Sequence, residues 1–194
     1  MLICVTNRKL CKDDLLTRIA QIAKGKPHGI MLREKDLTQI EYEALAFVVN
    51  KICKENEVPL IINQNVRTAL KLKLPNIHLS MDNLRSFQNE LVGFSQVGAS
   101  VHSIEEAKEA EKLGATYLVA GHIFSTDCKK GVPPRGLQFL KEVCQAVTIP
   151  VFAIGGITRN NVGVVAGMGA SGICIMSEAM TCANPVELAS QFQF

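Results

Sequence analysis

Short apolar runs rich in Ile, Val, Leu and Ala recur along the chain, and each stops abruptly at polar or small residues. The first spans Leu2 to Thr6 and breaks at Asn7-Arg8-Lys9. The second, His28 to Leu32, ends in Arg33-Glu34-Lys35, and the third, Pro59 to Ile62, ends in Asn63-Gln64-Asn65. Asn76 to Leu79 is stopped by Ser80-Met81-Asp82-Asn83, and a weaker fifth run, Gln96 to Ala99, by Ser100-Val101-His102. Tyr117 to Ala120 leads into Gly121-His122, Ile149 to Ile154 into Gly155-Gly156, and Gly172 to Ile175 into Met176-Ser177. Runs that are apolar throughout read as strands covered on both faces, as in parallel sheets.

Helical patterns fill the gaps between these runs. Leu15 to Ala23 is amphipathic, with Asp13-Asp14 where a helix dipole favours acids, and Gly25-Lys26-Pro27 stops it. Ile40, Ala44, Phe47, Val48 and Ile52 share helical spacing and read as one apolar face. Ser103 followed by Glu106 has the form of a capping box, and Gly114 closes that helix. Shorter or later helices are expected over Val66 to Leu72, Leu137 to Val147 and Asn160 to Ala166, with a last one through Glu187 and Leu188.

Eight strands alternating with helices point to a (β/α)8 TIM barrel, with a doubly wound sheet as the structural alternative. The 194 residues divide into units of about 24, near the lower limit for the barrel. A single compact domain, residues 1–194, is therefore expected.

Composition narrows the setting. Charged residues make up 20% and hydrophobic residues 47%, as in a soluble globular protein. A net charge of +3, without a basic run interleaved with aromatics, argues against nucleic acid. No run approaches a membrane span, and the N-terminus reads as a strand rather than a signal peptide, so a cytoplasmic protein without a membrane partner is expected. The seven cysteines lack metal-binding or disulfide spacing and read as reduced thiols. A homo-oligomer is left open.

In such barrels the active site forms from the loops after the strands. Those loops carry Arg33, Lys35, Asn63, Gln64, Asn83, Ser100, His122, Lys129, Arg135, Gly155, Gly156, Met176 and Ser177. The loops after the seventh and eighth strands are the usual phosphate site, and glycine lets backbone N–H groups approach an anion. Gly155 and Gly156 are therefore phosphate candidates, although a tight turn alone explains them too. The imidazole of His122 suits either half of a proton transfer. His78 and His102 read as structural, and His28 lies at the opposite end. Cys128 has lysine neighbours that favour a thiolate, but no partner base is identifiable. A Mg2+-pyrophosphate site needs carboxylates, and of the loops after the third and fourth strands only Asp82 supplies one. No metal is expected.

Leu32-Arg33-Glu34-Lys35, Ile77-His78-Leu79, Gly121-His122-Ile123-Phe124, Thr126-Asp127-Cys128-Lys129, Ala153-Ile154-Gly155-Gly156-Ile157 and Gly172-Ile173-Cys174-Ile175-Met176-Ser177 resemble the thiamine phosphate synthase/TenI superfamily. The resemblance covers essentially the whole chain. Synthases of this superfamily join a pyrimidine pyrophosphate to a thiazole phosphate, with Mg2+ on the pyrophosphate. Their pattern is matched at Arg33, Lys35, Asn63, Ser100, Lys129 and Gly155-Gly156, but their two aspartates correspond to Gln64 and Asn83. Where they have proline, this chain has His122.

The stretch from Gly121 to Gly131, with Arg135-Gly136, is similar to the TenI branch, which includes thiazole tautomerases. That resemblance implies an isomerase that aromatises a carboxythiazole phosphate, with His122 moving the proton and no cofactor. Gly156 and Ser177 would hold the phosphate of the thiazole substrate, and Arg33, Lys35 and Lys129 its carboxylate. Two alternatives remain: a thiamine phosphate synthase, which would require Mg2+, and a non-catalytic thiazole-phosphate-binding regulatory protein.

Overall fold

The computed structural model describes residues 1–192, and the expected barrel is present as eight parallel strands in sequential order. The strands are β1 (Leu2–Val5), β2 (Gly29–Leu32), β3 (Leu60–Asn63), β4 (Asn76–Ser80), β5 (Gln96–Val101), β6 (Tyr117–Gly121), β7 (Val151–Ile154) and β8 (Gly172–Ile175). β8 pairs with β1, Cys174 lying opposite Ile3, and this closure rules out the doubly wound sheet. Around the barrel run α1 (Leu15–Lys24), α2 (Gln39–Glu55), α3 (Val66–Lys71), α4 (Met81–Ser86), α5 (Ile104–Lys112), α6 (Gly136–Ala146), α7 (Val162–Ala166), α8 (Ser177–Thr181) and α9 (Leu188–Gln191). None of the described helices is long and apolar enough to cross a membrane.

Alternation along the strands divides the apolar residues into two cores. Ile3, Val5, Met31, Ile61, Tyr117, Val119, Phe152 and Cys174 fill the barrel interior. Their strand neighbours, such as Leu2, Cys4, Ile30, Leu32, Leu118 and Ala153, pack outward against the helices. A column of rings crosses the interior. His28, at the far end, stacks on Phe152 at 5.9 Å; Phe152 meets Tyr117 edge-on at 5.7 Å; Tyr117 lies 5.6 Å from His78. Only glycine fits at position 98, because a Cβ there would overlap the Tyr117 ring and His78 Nδ1.

Two helices differ from the sequence pattern. α2 buries Tyr42, Ala46, Val49 and Cys53, while Ile40 is 81% and Phe47 66% exposed. Both stripes satisfy helical spacing, and the Tyr42 hydroxyl decides between them by donating 2.6 Å to the Leu32 carbonyl at the end of β2. The capping box expected at α5 is only half formed. Ser103 accepts from the Glu106 N–H, but the Glu106 carboxylate reaches back to the N–H of His102 at 2.6 Å. The complete box is at α2, between Thr38 and Glu41.

Burial holds His78 neutral by pushing its pKa down to about 3. Between that value and the ordinary one near 6.5, the unfolded chain binds a proton that the native state does not. Stability should therefore fall with falling pH across this window. The contribution of His78 is up to about 1.4 kcal/mol per pH unit. Urea unfolding of wild type and His78→Gln between pH 6 and 4 should show a shallower slope in the variant.

Candidate active site

Eleven of the thirteen candidates on these loops line one cavity of about 830 Å3 at the C-terminal mouth of the barrel: Arg33, Lys35, Asn63, Gln64, Ser100, His122, Lys129, Gly155, Gly156, Met176 and Ser177; Asn83 and Arg135 do not. Strand alternation explains much of this convergence. Arg33, Asn63 and Met176 each stand two residues beyond an inward-facing Met31, Ile61 or Cys174, so each inherits an inward direction. Glu34 has the opposite parity and points away from the mouth. It is 4% exposed, accepts from the Thr6 hydroxyl at 2.8 Å and the Arg8 N–H at 3.1 Å, and pairs with the Arg8 guanidinium. Arg8 and Lys9 also hold Asp36.

This sorting leaves the mouth cationic. Among the described residues, Arg33, Lys35 and Lys129 have no carboxylate within 4 Å. The nearby Arg33 charge, partial burial and Lys129 together lower the Lys35 pKa. Three like charges from the loops after β2 and β6 thus share one region, an arrangement that favours an anionic ligand. Two carboxylates line the cavity, and both are engaged: Asp127 with Lys130 at 3.6 Å, and Glu178 with Arg159 at 2.8 Å.

The opposite side is built by joining the loops after β6 and β7. Ile123 N–H donates to the Ile154 carbonyl at 2.9 Å, and Phe124 N–H to the Gly155 carbonyl at 3.0 Å. Gly155 and Gly156 have φ +100° and +65°, and a Cβ on either would overlap this neighbouring loop. The glycines are thus required by close packing and by backbone conformation, whatever they bind. Ser177, the first residue of α8, contacts Cys128 across the mouth, with Oγ 3.9 Å from Sγ.

Three histidines border the cavity. His122 is 4% exposed, and its Nε2 lies 3.2 Å from the Val132 carbonyl. A carbonyl only accepts, so Nε2 carries the hydrogen and Nδ1 is the basic nitrogen. The His122 carbonyl in turn accepts from the Arg135 N–H at 2.9 Å, which fastens both ends of the loop. His78 and His102, read from sequence as structural, both line the cavity. His78 Nε2 is 2.8 Å from the Ser100 hydroxyl, and His102 Nδ1 is 2.8 Å from the Gly121 carbonyl. Strand parity was the available signal for His78, since Ser80 and Asn76 share its face.

Mg2+, which the family resemblance attaches to a synthase, does not fit the donors present. Gln64 Oε1 accepts from Asn83 Nδ2 at 2.6 Å and from the Ser80 N–H at 3.1 Å. Both side chains are neutral amides already bonded to each other, whereas Mg2+ is bound through carboxylates. The Asp82 carboxylate is 92% exposed and pairs with Arg85. Among the described residues, no three His, Cys, Asp or Glu side chains gather as a metal site.

Fold and mouth together define a (β/α)8 barrel whose ligand cavity is cationic on one side and lined by a glycine loop on the other. A sequence model described as thiamine monophosphate synthase matches residues 2–179. The thiamine-phosphate synthase of Clostridium acetobutylicum is 37% identical over 176 residues, covering 89% of this chain and 83% of the relative. A protein of Streptococcus pneumoniae named thiamine-phosphate synthase 2 is 34% identical, covering 96% of this chain and 90% of its own. The thiamine phosphate pyrophosphorylase structure from Pyrococcus furiosus superposes with a TM-score of 0.85 at 28% identity, covering 98% and 92% of the two chains. The chain belongs to the thiamine monophosphate synthase family.

These relatives overturn the tautomerase and isomerase assignment drawn from the Gly121-His122-Ile123-Phe124 segment. Proteins 33–37% identical across most of the chain are named thiamine-phosphate synthases, a transferase activity. A short segment after one strand weighs less than agreement over the whole barrel. The proton-shuttle role given to His122 in tautomerisation, and the carboxylate role given to Arg33, Lys35 and Lys129, fall with that assignment.

If Arg33 is what chiefly lowers the Lys35 pKa, Arg33→Ala should raise it toward the ordinary lysine value. An NMR titration of the labelled Lys35 side chain checks this; an unchanged midpoint would mean the two charges do not share the mouth.

Proposed function

We propose that this chain is a transferase of the thiamine-phosphate synthase type, coupling a pyrimidine pyrophosphate to a thiazole phosphate. The observation that carries the reading is that one cavity holds both a group of cations and a glycine loop suited to an anion. Arg33, Lys35 and Lys129 lie on the side of the β2 and β6 loops, and Gly155, Gly156, Met176 and Ser177 on the side of β7 and β8. A reaction between two phosphorylated partners needs both. The names of the relatives support the same reading.

In this reaction the carbon–oxygen bond to pyrophosphate breaks, both electrons leaving on oxygen, while the thiazole ring bonds to the released carbon. The step transfers no proton, so the protein's contribution is positioning and neutralisation of the leaving group. Arg33, Lys35 and Lys129 meet the negative charge that grows on the pyrophosphate, where fixed cations lower the barrier most. Gly156 and Ser177 hold the phosphate of the thiazole through backbone N–H groups near the start of α8. Asn63 and Ser100 line the same cavity. The Ser100 hydroxyl is positioned by His78, which burial keeps neutral.

Incubation with both substrates should yield thiamine phosphate and one equivalent of pyrophosphate. Replacing Lys35 by Met should lower the rate by about 10²-fold, the scale for removing one charge-stabilising group from a transition state. Absence of coupling under any metal condition would remove the proposal.

A further inference from the structure

Gln64 and Asn83 stand at the positions where the family resemblance puts two aspartates. Gln64 sits in the loop after β3 with φ +64°, a left-handed conformation that is uncommon outside glycine. Its backbone N–H donates to the His78 carbonyl at 2.8 Å. Its side-chain oxygen accepts from Asn83 Nδ2 at 2.6 Å, and from the N–H and hydroxyl of Ser80 at 3.1 and 3.4 Å. One amide oxygen thus ties the loop after β3 to Ser80, which caps α4 through the Asn83 N–H.

Two carboxylates in this geometry would repel unless a cation lay between them. The amides need none, since each supplies what the other lacks. The clasp is neutral and closed, while the same cavity carries the cations Arg33, Lys35 and Lys129. We infer that the Gln64–Asn83 clasp replaces a metal site, so that this chain captures pyrophosphate without a divalent cation. The clasp keeps the loops after β3 and β4 in register, and side-chain cations alone neutralise the anion. This inference rests on the synthase reading for its ligand, but binding can be tested apart from turnover.

The test is calorimetric titration of the intact protein with inorganic pyrophosphate, once in chelator and once with excess Mg2+. Wild-type affinity in chelator should lie within about threefold of that with Mg2+. The double variant Gln64→Asp/Asn83→Asp should bind about tenfold or more weakly in chelator and recover when Mg2+ is added. Wild-type binding that tightens about tenfold or more with Mg2+ would overturn the inference, and this arm needs no variant to fold. A folded double variant as indifferent to Mg2+ as wild type would overturn it too. Metal-free pyrophosphate binding without any coupling of the two substrates would leave the clasp standing and remove only the synthase reading. Coupling accompanied by Mg2+-dependent pyrophosphate binding would do the reverse.

Discussion

In a closed parallel barrel, a side chain two residues beyond a buried inward one is carried into the mouth, and its immediate neighbour is carried away from it. Here that constraint separates charges of opposite sign. Met31, buried in the barrel, sets the direction of Arg33, and the intervening Leu32 and the following Glu34 face outward. Glu34 becomes the buried anchor of Thr6 and Arg8, tying the loop after β1 to that after β2. The same segment therefore delivers cations to the ligand and spends its acids on structure.

The pattern repeats around the rim. Asp36 is held by Arg8 and Lys9, and the Arg8 guanidinium keeps its carboxyl well below the usual range. Asp82 pairs outward with Arg85, and Glu178 with Arg159. Among the described residues, the side chains at the mouth without an opposite charge are positive or neutral: Arg33, Lys35 and Lys129, with the amide of Asn63 and the mutually bonded amides of Gln64 and Asn83. Across the mouth, the loop after β6 lies so close against Gly155 and Gly156 that no side chain fits between them. The cavity thus has one wall defined by charge and another by backbone.

Much of this was legible in the sequence, because a buried strand that ends in a glycine or a cation marks its own loop. The weak fifth strand proved the longest, Gln96–Val101, because Gly98 and Ser100 are inward positions that an apolar count overlooks. The exposed stripe Ile40, Phe47, Val48 on α2 was indistinguishable by spacing from the buried one, and a tyrosine hydroxyl bond, not periodicity, chose between them. Glu106 satisfies the capping spacing yet its carboxylate accepts from the N–H one residue earlier, at His102. The reaction was the least legible part. His122 and its motif suggested proton transfer, whereas likeness over the whole chain points to coupling with loss of pyrophosphate.

The proposed coupling depends on a division of labour between the two walls of the mouth. A crystal structure grown with thiamine phosphate and pyrophosphate tests it directly. Pyrophosphate should lie on Arg33, Lys35 and Lys129, with the thiamine phosphate anion against Gly156 and Ser177 and the Gln64–Asn83 bond intact. Pyrophosphate seated on the Gly155–Gly156 loop, or a metal ion inserted between Gln64 and Asn83, would contradict it.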